Sequence, residues 1–313
     1  MTTAEITNVL SSISDVERDT GIAKETLRVW ERRYAFPQPE RDINGERLYP
    51  GVQVQRLRLV KRLLDQGYRP GKIMHLEMDE LSELASKTGV VAAAPDADDP
   101  TLRQCLELIR GHKMADLRQR MAQAQLELGL RRFVIEVVAP LTTVVGDSWA
   151  AGQLAVFEEH LFAETLQSVM RNAIFSAHQQ IGQAASRPRV MLTTVPQERH
   201  GLGLLMAEAL FVLEGAHCVS LGVQTPLSDI VAAAKVQDAD IVALSFSSGM
   251  SPRAAIENVT ELQNRLGPNV QVWAGGSCAA LARRQLGPQC VLDLFDITGA
   301  VARWRSQQAD TAN

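Results

Sequence analysis

The sequence predicts a multidomain chain of α and α/β architecture: a winged helix-turn-helix, a four-helix bundle, and a five-stranded, doubly wound parallel sheet of Rossmann-like type. Three observations predict it. A basic segment with a glycine turn and an Asn-Gly hairpin signal occupies residues 11–76. Residues 101–183 carry helical apolar spacing without strand alternation, and short apolar runs alternate with helical segments from Pro188 onward. The corresponding boundaries are 1–80, a linker at 81–100, 101–186 and 187–313.

Length and composition suit this division. The chain has 313 residues, 46% of them hydrophobic, which is enough for two or three ordinary cores. Its net charge of −4 conceals an asymmetry, because Arg18 to Lys72 holds thirteen Lys/Arg against seven Asp/Glu, a net of +6. A basic module on an otherwise acidic chain points to a polyanion, with double-stranded DNA the first candidate. No apolar run reaches the roughly 18 residues of a membrane span, and Met1-Thr-Thr-Ala-Glu5 lacks a signal pattern, so no membrane partner and a cytoplasmic location are expected. Cys105, Cys218, Cys278 and Cys290 show no C-x-x-C spacing, so they are expected as small apolar residues rather than zinc ligands or disulfides.

In chain order, Ile13 to Gly21 reads as a short helix capped by Ser14, with Glu17 three residues later and Gly21 ending it. Ile22 to Arg33 is a second helix with Ile22, Leu27 and Trp30 inward and Lys24, Glu25, Thr26, Arg28 and Arg32 outward. Two short helices around a glycine turn, the second one basic, form a helix-turn-helix whose second helix suits the major groove. Phe36-Pro-Gln-Pro39 stops helix, and Asn44-Gly45 within Arg41–Tyr49 suits a tight hairpin, a basic wing. Val52 to Gln66 is helical by period, and Gly67 to Pro70 breaks it before a short helix at Lys72 to Leu76.

Val90 to Pro100 is acidic and punctuated by proline, as linkers are. Beyond it, 102–110, 114–128, 129–151 and 157–181 fit four bundle helices. Trp149 precedes Glu159-His160 by ten residues, at the start of the last helix. These three residues read either as a core tryptophan beside a solvated pair, or as a cap able to stack on a flat group and hydrogen-bond a pair of hydroxyls.

The last region reads as strands at 190–194, 218–221, 241–246, 270–274 and 291–295, with helices at 204–214, 227–236, 252–266, 279–285 and 301–307. Its loop Val195–Gly203 carries His200 at the carboxyl end of a strand, where open α/β sheets bind ligands. Gly201 and Gly203 are not a dinucleotide fingerprint: a third glycine would fall on Met206, and Leu221-Gly222 ends the second strand without an acid.

Three resemblances follow from these motifs. Leu27-Arg-Val-Trp-Glu-Arg-Arg-Tyr34, then Pro37, Pro39, Arg41 and Arg47-Leu-Tyr49, resembles the winged DNA-binding domain of MerR-type transcription regulators. That resemblance implies DNA contacts by Lys24, Thr26, Arg28, Arg32, Arg33, Arg41, Arg47 and Tyr49. The long dimerising coiled coil common in MerR proteins is missing, so assembly must use other surfaces. Glu198-x-His200-x-x-Gly203, with Leu244-Ser-Phe-Ser247 and Gly275-Gly276, resembles the cobalamin-binding domain of methionine synthase type, with Glu in place of the usual Asp. It implies His200 as the lower cobalt ligand, Glu198 as the carboxylate that orients it, Ser245 and Ser247 bonding the displaced nucleotide tail, and Gly275 and Gly276 letting backbone approach it.

Taken together the three regions resemble the CarH/LitR photoreceptor regulators. The resemblance implies adenosylcobalamin between bundle and sheet, with Trp149, Glu159 and His160 around the adenosyl group. It further implies a non-enzymatic repressor that occupies operator DNA in the dark as a homo-oligomer, dimer or tetramer, and is released when light breaks the cobalt–carbon bond. One departure stands out: the best-known members have histidine after the cap tryptophan, and this chain has Ala150. The expectation here is that the light product keeps water or recruits His160. Other readings are a cobalamin sensor indifferent to light, a corrinoid methyl carrier, and a MerR regulator whose α/β domain takes another flat ligand or a protein.

Overall fold

The computed structural model describes residues 10–65, 67–88, 99–150, 153–181, 187–282 and 293–311. Its contacts divide the chain into two compact units, Met1–Val91 with Thr143–His160, and Ala92–Thr142 with Leu161–Asn313. Residues 101–186, expected as one bundle domain, are thus shared: 143–160 group with the amino-terminal module, and the flanking helical segments group with the sheet.

The first unit opens with a strand absent from the sequence reading, β1 (Leu10–Ser12), and continues with α1 (Ile13–Thr20) and α2 (Lys24–Tyr34). Ser12, two residues before the expected Ser14, caps α1: its hydroxyl oxygen accepts the Asp15 N–H at 3.2 Å. Gly21 ends the helix in the left-handed region at φ 70°, donating to the Glu17 carbonyl. β2 (Glu40–Arg41) and β3 (Arg47–Pro50) form the wing, and the antiparallel sheet runs β1-β3-β2. Asn44-Gly45 closes that hairpin, but not as a two-residue turn. Gly45 donates to the Asp42 carbonyl and alone of the pair has positive φ, 79°, while Asp42 Oδ1 accepts the N–H groups of Asn44 and Glu46. The result is a type I turn followed by a glycine bulge.

α3 (Gly51–Asp65), the single turn α4 (Pro70–Ile73) and α5 (Met78–Thr88) complete the module. Val16, Ile22, Leu27, Trp30, Tyr49, Leu57, Leu63, Ile73 and Leu81 share one core. Leu81 lies in that core and 81–88 are helical, so the first part of the expected linker belongs to the module; residues 89–98 lie outside those described.

In the second unit Asp99 caps α6 (Pro100–Arg110), and Lys113 precedes α7 (Met114–Arg132). Gly129, at φ 74° and ψ 159°, breaks α7, and a π-helical turn Phe133–Val138 leads into α8 (Ala139–Ala150). α9 spans Val156–Ile181. The sheet comprises β4 (Arg189–Thr193), β5 (His217–Gly222), β6 (Ile241–Phe246) and β7 (Gln271–Gly276), all parallel, in the order β5-β4-β6-β7. Helices α10 (Leu202–Leu213), α11 (Leu227–Val236) and α12 (Pro252–Leu266) make the crossovers. Val242, Leu244, Phe246, Val272 and Ala274 pack with Ile230 and Ala234 of α11 and with Ala255, Val259 and Leu262 of α12. α14 (Ile297–Thr311) packs beside α10, and Arg131 ties the end of α7 to both by bonding Glu214 and Thr298.

The parallel sheet has four strands among the described residues where five were expected. In place of the end of a strand over 291–295, Asp293 accepts the Phe295 N–H and caps a 3-10 turn, Leu294–Asp296; residues 291 and 292 lie outside those described. The helix expected at 279–285 is described as α13 (Ala279–Ala282). In this order the crossover from β4 runs to β5 on one side and that from β6 runs to β7 on the other, which opens a crevice at the carboxyl ends of β4 and β6.

Loss of the Ser12 cap is expected to cost about 1 kcal/mol. Ser12→Ala should therefore show a lower midpoint for the amino-terminal module in chemical denaturation followed by Trp30 fluorescence.

Candidate functional site

The loop leaving β4 is built around one buried carboxylate. Glu198 is 2% exposed, and its Oε1 lies 2.6 Å from His200 Nδ1 and accepts the His200 backbone N–H at 3.0 Å. The other oxygen accepts both the backbone N–H and the hydroxyl of Ser247, each at 2.8 Å, from the loop that follows β6. Burial pushes the Glu198 carboxyl up, but the bonds from His200 and Ser247 outweigh it and hold the group below its ordinary 4.5. The imidazole it orients is 67% exposed, at the mouth of the crevice.

Ser247, expected to bond a nucleotide tail, donates its hydroxyl to Glu198 and keeps its lone pairs as acceptors. Ser245 lines a small apolar slot between the sheet and α10, with a cavity volume of about 30 Å³. Gly203 and Gly275 line it too, and a Cβ on Gly203 would lie 2.3 Å from the Ser245 hydroxyl. At Gly276, φ is +114° and a Cβ would lie 2.2 Å from the Phe246 carbonyl oxygen. Glycine is required at Gly276 by space and by conformation, whereas a Cβ at Gly203 would force the Ser245 hydroxyl to turn away.

Residues the sequence did not single out hold this loop. Thr194, fully buried, donates its hydroxyl to the Glu198 carbonyl at 2.6 Å and accepts the Gln224 N–H at 2.8 Å. Thr193 bonds the Gly222 carbonyl and the Thr225 hydroxyl. Threonine at a strand end is ordinary by β-propensity, so nothing in the sequence marked these two.

On the amino-terminal module, Arg28, Arg32, Arg33 and Arg41 are exposed, while Lys24 and Thr26 are half-buried on α2. Arg28 pairs with Glu25, Lys24 with Glu17, and Arg41 donates to the Gly45 carbonyl in the wing. Tyr49 is fully buried, which corrects its expected place on the DNA face. Its hydroxyl donates to Glu31 at 2.6 Å, and Arg47 Nε meets both oxygens of the same carboxylate at 3.1 and 2.9 Å. Burial, and then the Glu31 bond, raise the Tyr49 phenol well above its ordinary range. Glu31, missed in the sequence, therefore joins the wing to the recognition helix.

Trp149, Glu159 and His160 fall in the first unit. The Arg58 guanidinium lies 5.3 Å from the Trp149 ring centre while also pairing with Asp19, and Arg62 bonds Asp147 at 2.8 Å. The Trp149 indole N–H is buried without a hydrogen-bond partner. His160 is 70% exposed, 3.7 Å from the Glu159 carboxylate, and the neighbouring Glu158 caps α9 by accepting the Ala155 N–H.

Comparison with known proteins agrees with both halves. The MerR helix-turn-helix family of regulatory proteins matches residues 11–78, and B12-binding domains match residues 101–173 and 188–297. The chain is 28% identical over 264 residues to the HTH-type transcriptional repressor CarH of Myxococcus xanthus, covering 83% of this chain and 86% of that protein. It is 26% identical over 245 residues to CarA of the same organism, covering 77% of each. The fold of the monomethylamine corrinoid protein of Methanosarcina barkeri superposes with a TM-score of 0.51 at 14% identity, over 65% of this chain and 97% of that one. The protein is a MerR-type helix-turn-helix regulator that carries a cobalamin-binding domain. Along most of its length it is similar to the repressors CarH and CarA.

The residues present fit the corrinoid. The donor set is a single oriented imidazole, and among the described residues no cluster of three His, Cys, Asp or Glu could hold a bare metal ion. Gly203 and Gly275 line the small slot together with Ser245.

Two outcomes follow. Because folding lowers the Glu198 pKa, its stabilisation is fully present above the ordinary carboxylate value and is lost as pH falls through the lowered one. Acid unfolding of the sheet unit should accordingly lose part of its pH dependence in Glu198→Gln. Glu31→Ala should weaken DNA binding at least several-fold by freeing the wing, with helical circular dichroism retained; unchanged affinity by fluorescence anisotropy would exclude the role assigned to Glu31.

Proposed function

We propose that this chain is a repressor that holds operator DNA as a dark, adenosylcobalamin-bound homo-oligomer and releases it in light. The observation that carries the reading is the Ser247–Glu198–His200 chain of hydrogen bonds beside the small-residue slot. Glu198 engages Nδ1, so this hold supports coordination of cobalt through Nε2. Ser245, Gly203, Gly275 and Gly276 take the nucleotide tail. When bound, adenosylcobalamin supplies a cobalt–carbon bond that visible light breaks.

Trp149 would stack on the adenosyl group and Glu159 and His160 would hydrogen-bond it, as the resemblance implies. With Ala150 after the tryptophan, His160 is the imidazole assigned to respond when that group leaves. Arg28, Arg32, Arg33 and Arg41 face DNA, with Lys24, Thr26 and Arg47 supporting the recognition helix and wing. One winged module makes few phosphate and base contacts, so tight binding calls for assembly into a dimer or tetramer, which multiplies weak sites through effective concentration. The relatives are DNA-binding repressors, which supports a non-enzymatic role in the cytoplasm over that of a methyl carrier. No helix among the described residues is long and apolar enough to cross a membrane.

The test is the absorption spectrum and gel-filtration volume of the protein with adenosylcobalamin, before and after green light. The expected result is imidazole-bound cobalamin in the dark, a spectral change and a smaller species in light, and loss of the imidazole signature in His200→Ala. A spectrum and elution volume indifferent to light would leave a cofactor-supply sensor instead. A bis-imidazole light product that persists in His160→Ala would remove His160 from its assigned role.

A further inference from the structure

The end of α8 is fastened to the DNA-binding module by two contacts that meet the same helix. Arg58 and Arg62 stand four residues apart on α3 and so project from one face. The Arg58 guanidinium lies 5.3 Å from the Trp149 ring centre, and Arg62 bonds Asp147 at 2.8 Å. Arg58 has a second anchor, because Asp19 of α1 pairs with it at 2.8 Å and the two side chains are only 10% and 16% exposed. It therefore keeps its place on α3 with or without Trp149. The other side of the joint is weaker. The Asp147 side chain is 57% exposed, and an ion pair so open to water contributes little. Among the described residues, Arg62 Nε and the Trp149 indole N–H are buried without hydrogen-bond partners. Buried donors left unpaired oppose the contact that buries them, so the joint holds the segment but opens at small cost.

Resting on the cobalamin reading above, we infer that this joint is a latch that opposes cofactor binding. Trp149 rests on Arg58 or stacks on the adenosyl group, and adenosylcobalamin binds by drawing it away. Stacking on a flat ligand takes an accessible aromatic face, and here a guanidinium lies over the ring while the N–H is buried. Occupancy of the cobalamin domain thereby reaches the DNA-binding module as the loss of two contacts on α3, while the Arg58–Asp19 pair inside the module stays intact. Linkage is reciprocal, so whatever weakens the latch tightens cofactor binding.

Charge reversal on either side tests the latch without altering a residue assigned to cofactor or to DNA. Arg62→Glu and Asp147→Lys each turn attraction into repulsion, and the double variant restores an ion pair of opposite polarity. The full-length proteins are titrated with adenosylcobalamin in the dark by absorption, and amide hydrogen exchange over residues 143–149 is followed without cofactor. Each single variant should bind adenosylcobalamin about threefold or more tightly than the unaltered protein, as reversal of a half-exposed ion pair implies. Each should also exchange faster over 143–149, and the double variant should return to the unaltered values in both measurements. Should Arg62→Glu fail to fold by circular dichroism, Arg62→Gln takes its place beside Asp147→Lys, which sets a cation favourably at a helix carboxyl end. Unchanged affinity, unchanged exchange, or weaker binding in the single variants overturns the latch while leaving cobalamin binding intact. Failure of the unaltered protein to bind adenosylcobalamin would overturn the cobalamin reading itself.

Discussion

The Glu198 carboxylate is the constraint on which the ligand-binding half of this protein depends. A carboxylate 2% exposed is tolerated only when its lone pairs are filled, and here donors from two separate loops fill them. That requirement locks the loop after β4 to the loop after β6 across the crevice and leaves the imidazole one orientation. The longer side chain, relative to aspartate, still reaches both partners within 2.6–2.8 Å. Thr193 and Thr194 extend the same network toward β5, so the three strands that frame the crevice are coupled through side-chain oxygens as well as through their ladders.

The amino-terminal module uses the same device for a different end. Glu31 collects Arg47 and Tyr49 from the wing onto the recognition helix, and the buried phenol and half-buried guanidinium make that joint stiff. The exposed cations are thereby presented on a surface whose two parts keep a fixed spacing. Base and phosphate recognition require such spacing, because a contact held loosely loses binding free energy to side-chain and loop ordering.

Much of this was legible in the sequence, for reasons that differ by element. The apolar faces of α2, α3, α11 and α12 follow helical period, and Gly45 and Gly276 stand where φ turns positive. The motif from Glu198 to Gly203 is local, so its spacing survives in one dimension. What stayed hidden depends on partners far along the chain: Ser247 meeting Glu198, Glu31 meeting Tyr49, and Arg58 meeting Trp149. β1 escaped notice because three residues carry almost no periodic signal, and the cap moved from Ser14 to Ser12 because either serine satisfies the same local pattern.

The grouping of residues 143–160 with the DNA-binding module bears on how such proteins can be recombined. A chimaera cut in the expected linker near residue 90 would move Arg58 and Arg62 to a new host while leaving Trp149 and Asp147 behind. The transplanted head would carry an exposed guanidinium pair and lose an aromatic face, and the donor would keep a tryptophan stripped of its cation. Portability of the head is therefore set by two separate stretches of chain, so a functional graft has to exchange the end of α8 together with the winged module.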